Sequence, residues 1–100
     1  MPINPVDRGL LILTSLAGGE KHGYALMQDI EEFAGVRLGP GSLYGAISRL
    51  ESDGLVEALP ADDRRRPYRL TPAGNRVLQQ ELSASAKIAG IGLGRLAVEG

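Results

Sequence analysis

Four patterned segments between residues 23 and 70 constrain the fold more than any other feature of the sequence. Two amphipathic helical segments are separated by a short glycine-containing link, and two strand-like segments with a charged loop between them follow directly. The first helix is predicted at about 23–34. The second starts after Gly39 and Pro40 and ends at Asp53 and Gly54, and the strands are predicted at Leu55–Leu59 and Pro67–Leu70. Two helices joined by a tight turn and followed by a hairpin are typical of a winged helix-turn-helix.

A further helix is predicted on each side of this unit. The first runs over Pro5–Ala17 and ends at two glycines. The last begins with Thr71 as cap and Pro72 in the first turn, and it extends to Val98, about 42 Å. The fold class is therefore mainly α with a small β-hairpin, a winged helix-turn-helix plus a long C-terminal helix. We expect residues 1–70 to form the DNA-binding domain and residues 71–100 a dimerisation helix.

The two outer helices are more apolar than one core of this size requires. The first is apolar around nearly its whole circumference, and the last is long enough to project beyond its own domain. We therefore expect a homodimer in which the last helix packs on the first and last helices of the partner. The expected interface consists of Leu10, Leu13, Leu78, Leu82, Ala89 and Leu93.

The helix after Gly39 is the candidate for entering the major groove of DNA. Its core-facing residues recur at helical spacing, and the opposite face carries small or hydrogen-bonding side chains. Ser42, or else Gly41, is the predicted N-cap. The alternatives are that Tyr44 packs at the edge of the core and that Arg49 pairs with Glu51 or Asp53. The candidate DNA-contacting residues of this helix are Ser42, Tyr44, Gly45, Ser48 and Arg49.

The loop of about seven residues between the two strands, Pro60–Arg66, is the second candidate DNA contact. It carries Arg64, Arg65 and Arg66 in succession, which suits phosphates or a narrow minor groove. Asp62 and Asp63 precede them and would repel DNA unless they turn away. The whole chain has a net charge of −1 and a pI of about 5.8. The alternative is thus a winged-helix module that binds proteins and not DNA.

Composition argues against several other classes. The chain has no cysteine and one histidine, so neither a metal site nor a cofactor is expected. His22 should make a local hydrogen bond instead. No serine has a plausible base, and the glycines at 90, 92 and 94 lack the βαβ context of a dinucleotide site. With no signal-peptide or membrane-spanning pattern, we expect a soluble, cytoplasmic protein that is not an enzyme.

Several short motifs together resemble the PadR family of bacterial transcriptional regulators. They cover about residues 9 to 78 and are specific as a combination. The motifs are His22-Gly23-Tyr24, Gly41-Ser42-Leu43-Tyr44, Arg49-Leu50-Glu51, Gly54-Leu55-Val56, Arg65-Arg66, Tyr68-Arg69-Leu70-Thr71 and Gly74.

This resemblance implies a winged-helix domain, a C-terminal dimerisation helix and repression from a palindromic operator. It places DNA contacts at Ser42, Tyr44, Arg49 and the arginines of the wing. The single short C-terminal helix resembles that of the compact members of the family. Two features depart from the family pattern. Gly45 stands where a proline usually follows the Leu-Tyr pair, and the wing is short and rich in arginine.

The resemblance also implies release of DNA by a small-molecule inducer. An apolar compound would fit a gap between the subunits near the glycines of the last helix, lined by Ile88, Ile91 and Leu93. Met27 or Phe33 would contribute only if they face that gap, and the chain has no tryptophan for a stacking clamp. The alternative is close helix packing with no gap.

Overall fold

A computed structural model describes residues 7–99. The chain folds as three helices, a small sheet and a long final helix, which confirms the predicted fold class. The three strands are antiparallel, in the order β1-β3-β2. The elements are α1 (Arg8–Ala17), β1 (Lys21–His22), α2 (Gly23–Ala34), α3 (Pro40–Ser52), β2 (Val56–Ala58), β3 (Pro67–Leu70) and α4 (Pro72–Glu99).

Two helices begin at residues other than those predicted. The start proposed at Pro5 lies outside the described residues. Asp7 has an extended backbone, and its carboxylate accepts a hydrogen bond from the Gly9 N–H at 2.8 Å, so α1 begins at Arg8. The prediction of Ser42 or Gly41 as the cap of α3 is wrong. Gly39 is the cap, because Pro40 with its fixed φ already occupies the first helical turn.

The apolar circumference of α1 is covered within a single subunit. Helices α2, α3 and α4 and strand β3 all pack against it, and four of its apolar side chains are buried, Leu11, Ile12, Leu13 and Leu16. Leu13 and Leu78 are each only 4% exposed. Leu13 on α1 and Leu78 on α4 therefore expose little surface that a second subunit could cover, whereas Leu10 stays half-buried at the surface.

Helix α4 leaves the domain after its first two turns. Thr71 caps it as predicted, because its hydroxyl oxygen accepts a hydrogen bond from the Gly74 N–H at 3.0 Å. From residue 79 to residue 98 every side chain is exposed, including Leu82, Ile88 and Leu96. The molecule is 55 Å long, with a radius of gyration of 15.4 Å against about 13 Å for a compact chain of this length. The second half of α4 thus has no cover within one subunit.

Within residues 7–99 no helix is long and apolar enough to cross a membrane.

Candidate nucleic-acid interface

Helix α3 presents one face to the core and the other to solvent. Leu43, Ile47 and Leu50 are buried and fix the orientation of the helix. The opposite face is exposed, as predicted, and carries Ser42, Gly45, Ser48 and Arg49. A methyl group added at Gly45 would meet no atom within 4 Å, so the helix backbone there is open to close approach.

Arg49 has no carboxylate partner among the side chains that the structure describes. The salt bridges in that part of the chain are Arg37–Glu31 and Arg69–Glu57. Arg49 lies with Ser42 and Gly45 in an open groove that the start of α1 completes with Arg8. Asp7 and Asp53 also line this groove, so it presents both charges.

The wing is the loop between β2 and β3 of the predicted hairpin, and its tip closes as a tight two-residue turn. Backbone hydrogen bonds join Asp62 and Arg65 in both directions, at 2.6 and 2.9 Å. The two residues between them, Asp63 and Arg64, have φ of 52° and 73°. Two successive left-handed residues form the turn that suits a two-residue hairpin, and aspartate tolerates that conformation better than most residues. The hairpin exposes Arg64, Arg65 and Arg66 at its tip and leaves Asp62 and Asp63 exposed beside them.

Strand β1 connects the wing to the start of α2, and no pattern in the sequence predicted it. Lys21 pairs with Tyr68 and His22 pairs with Pro67, at the wing end of β3. A strand of two residues is too short to show an alternating pattern, so only the folded chain reveals it. Its effect is to place the end of the wing against the first turn of α2.

His22 lies at this junction and makes the local hydrogen bond that we expected. Its Nδ1 atom accepts a hydrogen bond from the Ala25 N–H at 3.5 Å and so caps α2. Its Nε2 atom lies 3.4 Å from an Arg65 guanidinium nitrogen. No group of metal-ligating side chains occurs among residues 7–99.

Tyr44 both packs and remains accessible. Its hydroxyl group lies against the backbone of Gly23 in α2, and the residue is 46% exposed. Tyr44 and the three wing arginines line one open groove. Tyr68, also in this groove, is buried, which raises the pKa of its hydroxyl above the ordinary value, and the charge of Glu51 raises it further. Tyr68 is therefore neutral near pH 7.

The family model described as "Transcriptional regulator PadR-like family" matches residues 12–80. This match runs from the second turn of α1 to the first turns of α4 and includes every candidate DNA-contacting residue. The chain belongs to the PadR-like family of transcriptional regulators. PadR-like proteins are transcription regulators, and DNA is their general partner.

Relatives of this PadR-like chain agree with that assignment. A regulator from Mycobacterium tuberculosis, Rv3488, is 42% identical over 83 residues, which are 80% of this chain and 77% of Rv3488. An uncharacterized 37.1 kDa protein in transposon TN4556 of Streptomyces fradiae is 49% identical over 84 residues. That alignment covers 84% of this chain but only 24% of the transposon protein.

A solved structure shows the same fold. It is a PadR family transcription regulator from Clostridium difficile R20291, which superimposes with a TM-score of 0.77 at 24% identity. The match covers 84% of this chain and 92% of that one. The two departures from the family pattern, Gly45 and the short wing, thus occur on an ordinary PadR-like framework.

The contact between Tyr44 and Gly23 gives a first prediction. A Cβ atom at Gly23 would lie only 2.1 Å from the Tyr44 hydroxyl oxygen, so Gly23→Ala should push the ring outward. Because the far end of an exposed side chain moves easily, and alanine is better than glycine in a helix, the free energy of unfolding should change by less than about 1 kcal/mol. Thermal unfolding measures the stability, and the NMR signals of the Tyr44 ring measure its displacement. A large loss of stability with unmoved ring signals would contradict this packing.

Proposed function

We propose that this protein is a sequence-specific repressor that binds a palindromic operator as a homodimer. The supporting observation is the surface that α3 and the wing form on one subunit. The buried leucine and isoleucine face of α3 directs Ser42, Ser48 and Arg49 outward, and strand β1 holds the arginine-rich wing against the adjacent helix. A two-fold dimer would read half-sites about 34–36 Å apart or a multiple of that distance.

Each part of the surface has a separate role in this proposal. Ser42, Tyr44 and Ser48 offer hydrogen bonds to phosphates or base edges, and Gly45 permits close approach. Arg49 can contact guanine with two hydrogen bonds. The wing arginines Arg64, Arg65 and Arg66 neutralise phosphates. In this proposal residues 1–70 bind DNA and residues 71–100 pair the subunits. The protein acts in the cytoplasm, where the DNA that it regulates is located.

Titration against operator and unrelated DNA at two salt concentrations tests this function. The operator is first selected from random duplexes with the full chain. We expect tighter binding to the selected site, with both affinities falling as salt rises. Arg49→Ala should reduce the preference among operator variants. If neither selected nor unrelated DNA binds at low salt, the chain is instead the protein-interaction module that its acidic pI allows.

The homodimer would use the surface that the single subunit leaves uncovered. Leu82, Ala89 and Leu93 are exposed on α4, and Leu10 is half-buried on α1. Leu13 and Leu78, which we also assigned to the interface, would contribute only the small area that they still expose. An uncovered apolar surface of this kind is typical of an interface.

Leu82→Glu should shift the protein from dimer to monomer. The substitution places a charge in the expected interface, and burial of an unpaired charge costs several kcal/mol per dimer. Sedimentation over a range of micromolar concentrations measures the shift. Lys87→Glu is the matched control, since it changes charge on the outer face of the same helix. A folded monomer in the unaltered protein would contradict the dimer.

The proposal includes an inducer that binds between the subunits. Ile88, Ile91 and Leu93 are exposed near the glycines of α4 and would line the gap, and Phe33 is also exposed. To release DNA, the compound must bind more tightly to a dimer whose α3 helices are not spaced to fit the operator. The coupling free energy between binding of the compound and binding of the operator should be about 1–3 kcal/mol. Apolar compounds that raise the melting temperature are therefore retested in the operator titration. Hits that leave operator affinity unchanged would exclude a regulatory site.

A further inference from the structure

We infer that His22 is a positioning residue for the wing: its ring holds Arg65 in the free protein and caps α2 more fully once Arg65 binds DNA. The contact with Arg65 belongs to the free protein, whereas its exchange for the cap rests on the proposed DNA binding. The ring lies between two donors from distant parts of the chain. The Ala25 N–H faces Nδ1 at 3.5 Å, and an Arg65 guanidinium nitrogen lies 3.4 Å from Nε2.

A neutral imidazole ring can accept only one of these two hydrogen bonds. It carries its proton on one ring nitrogen and a free lone pair on the other, so in either tautomer one of the two donors faces a second N–H group. The tautomer with the proton on Nε2 caps α2, and the tautomer with the proton on Nδ1 accepts a hydrogen bond from Arg65. The cap and the contact with the wing are therefore alternatives.

The two tautomers are closely balanced in the free protein. Both distances exceed the usual value of about 2.9–3.0 Å, so neither donor is bound to the ring at the normal hydrogen-bond length. The guanidinium group favours its own tautomer because a charged donor forms a stronger hydrogen bond. The start of α2 favours the other tautomer because loss of a helix cap costs about 1 kcal/mol. We therefore expect a mixture of the two.

The fold itself brings the ring and the guanidinium group together. His22 pairs with Pro67 through strand β1, and the backbone of Arg65 is hydrogen-bonded to that of Asp62 in both directions. Both backbones are therefore fixed at the base of the wing. Arg65 also lines the open groove that contains Tyr44, on the proposed DNA surface.

The carboxylates near this contact leave the guanidinium group available to the ring. Glu20, Asp62 and Asp63 line an open groove together with His22 and Arg65. The salt bridges among residues 7–99 are formed elsewhere, and none of these three carboxylates pairs with Arg65. The imidazole nitrogen is thus the acceptor that Arg65 uses until a phosphate replaces it.

DNA binding by Arg65 would change the balance between the tautomers. A phosphate oxygen accepts a hydrogen bond from a guanidinium group more strongly than a neutral ring nitrogen does, because both partners are charged. Once Arg65 leaves the ring, the proton moves through water from Nδ1 to Nε2, with no net uptake. Nδ1 then accepts from the Ala25 N–H in every molecule, so the phosphate contact of the wing stabilises the first turn of α2.

Nitrogen NMR of the ring tests this linkage in the full chain, because the protein has a single histidine. The histidine is labelled with nitrogen-15 and measured at about pH 8, above the range in which histidine side chains usually take up a second proton. The free protein should give the averaged ring signals of a tautomer mixture. Arg65→Ala should shift them to the tautomer with the proton on Nε2, and the selected operator should shift the unaltered protein in the same direction.

Arg66→Ala is the matched control, since it removes the neighbouring charge and no hydrogen bond to the ring. Ring signals that are the same in Arg65→Ala and in the unaltered protein would overturn the inference. An equal shift in Arg66→Ala, or protons on both ring nitrogens, would do so too. If the operator binds and the ring signals stay unchanged, the link to DNA is refuted. A chain that binds no duplex would overturn the proposed function and leave the result for the free protein standing.

Amide exchange at Ala25 supplies a second test. Arg65→Ala should slow it by about twofold, because a ring shared between two tautomers caps α2 only part of the time. His22→Asn keeps a strong capping residue but has no second ring nitrogen to face Arg65. In the His22→Asn background, Arg65→Ala should therefore leave the exchange rate unchanged. A slowing of the same size in that background would show that Arg65 acts on α2 by another route, and the role of His22 would be refuted.

Discussion

Replacing Gly74 with alanine should destabilise the protein by about 3 kcal/mol, a large part of the stability expected for a small domain. A Cβ atom at this position would lie 2.0 Å from the carbonyl oxygen of Leu55. That carbonyl cannot move freely, because it accepts a hydrogen bond from the Thr71 N–H at 3.1 Å. The added methyl group must therefore push α4 away from the start of β2, which also strains the cap at Thr71.

Urea unfolding followed by circular dichroism measures this effect. Gly94→Ala is the matched control, since a Cβ atom there would meet nothing within 4 Å. This control should gain up to about 1 kcal/mol, because alanine replaces glycine inside a helix. A Gly74→Ala protein as stable as the unaltered chain would show that α4 does not approach β2 as closely as the structure indicates.

The sequence predicted the elements whose ends depend on local chemistry. The bounds of α2 are the predicted ones, because Gly35 adopts the left-handed conformation, with φ of 68°, that stops a helix. Strand β3 and the Thr71 cap were likewise predicted correctly. The exposed face of α3 followed from the helical spacing of Leu43, Ile47 and Leu50, which the core buries.

The features that the sequence did not predict depend on contacts between distant residues. Strand β1 exists because Lys21 and His22 pair with residues more than 40 positions away. The tight turn of the wing depends on left-handed conformations at Asp63 and Arg64, where the usual glycine signal is absent. The contact of Tyr44 with Gly23 joins two helices and has no local pattern. The cover of α1 by one subunit is also a result of packing, so helical periodicity alone overestimated its need for a partner.

These missed contacts bear on the proposed DNA surface. Strand β1 pairs with β3 and leads directly into α2, so the base of the wing is joined to the start of that helix. Arg69 is held by Glu57 through a salt bridge at 2.5 Å and stays on the sheet. Arg65 and Arg66 lie between the tip of the wing and β3. The backbone of Arg65 is hydrogen-bonded to that of Asp62 in both directions. They are therefore the positively charged groups of the wing whose positions the fold controls best.

Arg65→Ala/Arg66→Ala should weaken binding to operator and unrelated DNA alike by roughly 100-fold. A hydrogen bond to a charged group contributes about 1.5 kcal/mol or more, and each 1.4 kcal/mol is a factor of ten. Because each arginine would displace counterions from one phosphate, the slope of log affinity against log salt should fall by about two. Fluorescence anisotropy at several salt concentrations gives both quantities from one set of titrations.

The control for this prediction must remove the same charge elsewhere. Arg76→Ala/Lys87→Ala does so on the exposed side of α4, away from the wing, and should leave affinity and salt slope close to those of the unaltered protein. An equal loss of DNA affinity in both double variants would mean that the net charge of the protein, and not the position of the arginines, determines binding. Unchanged affinity and slope in the wing variant would show that the arginine hairpin does not contact DNA, and the DNA surface would then consist of α3 alone.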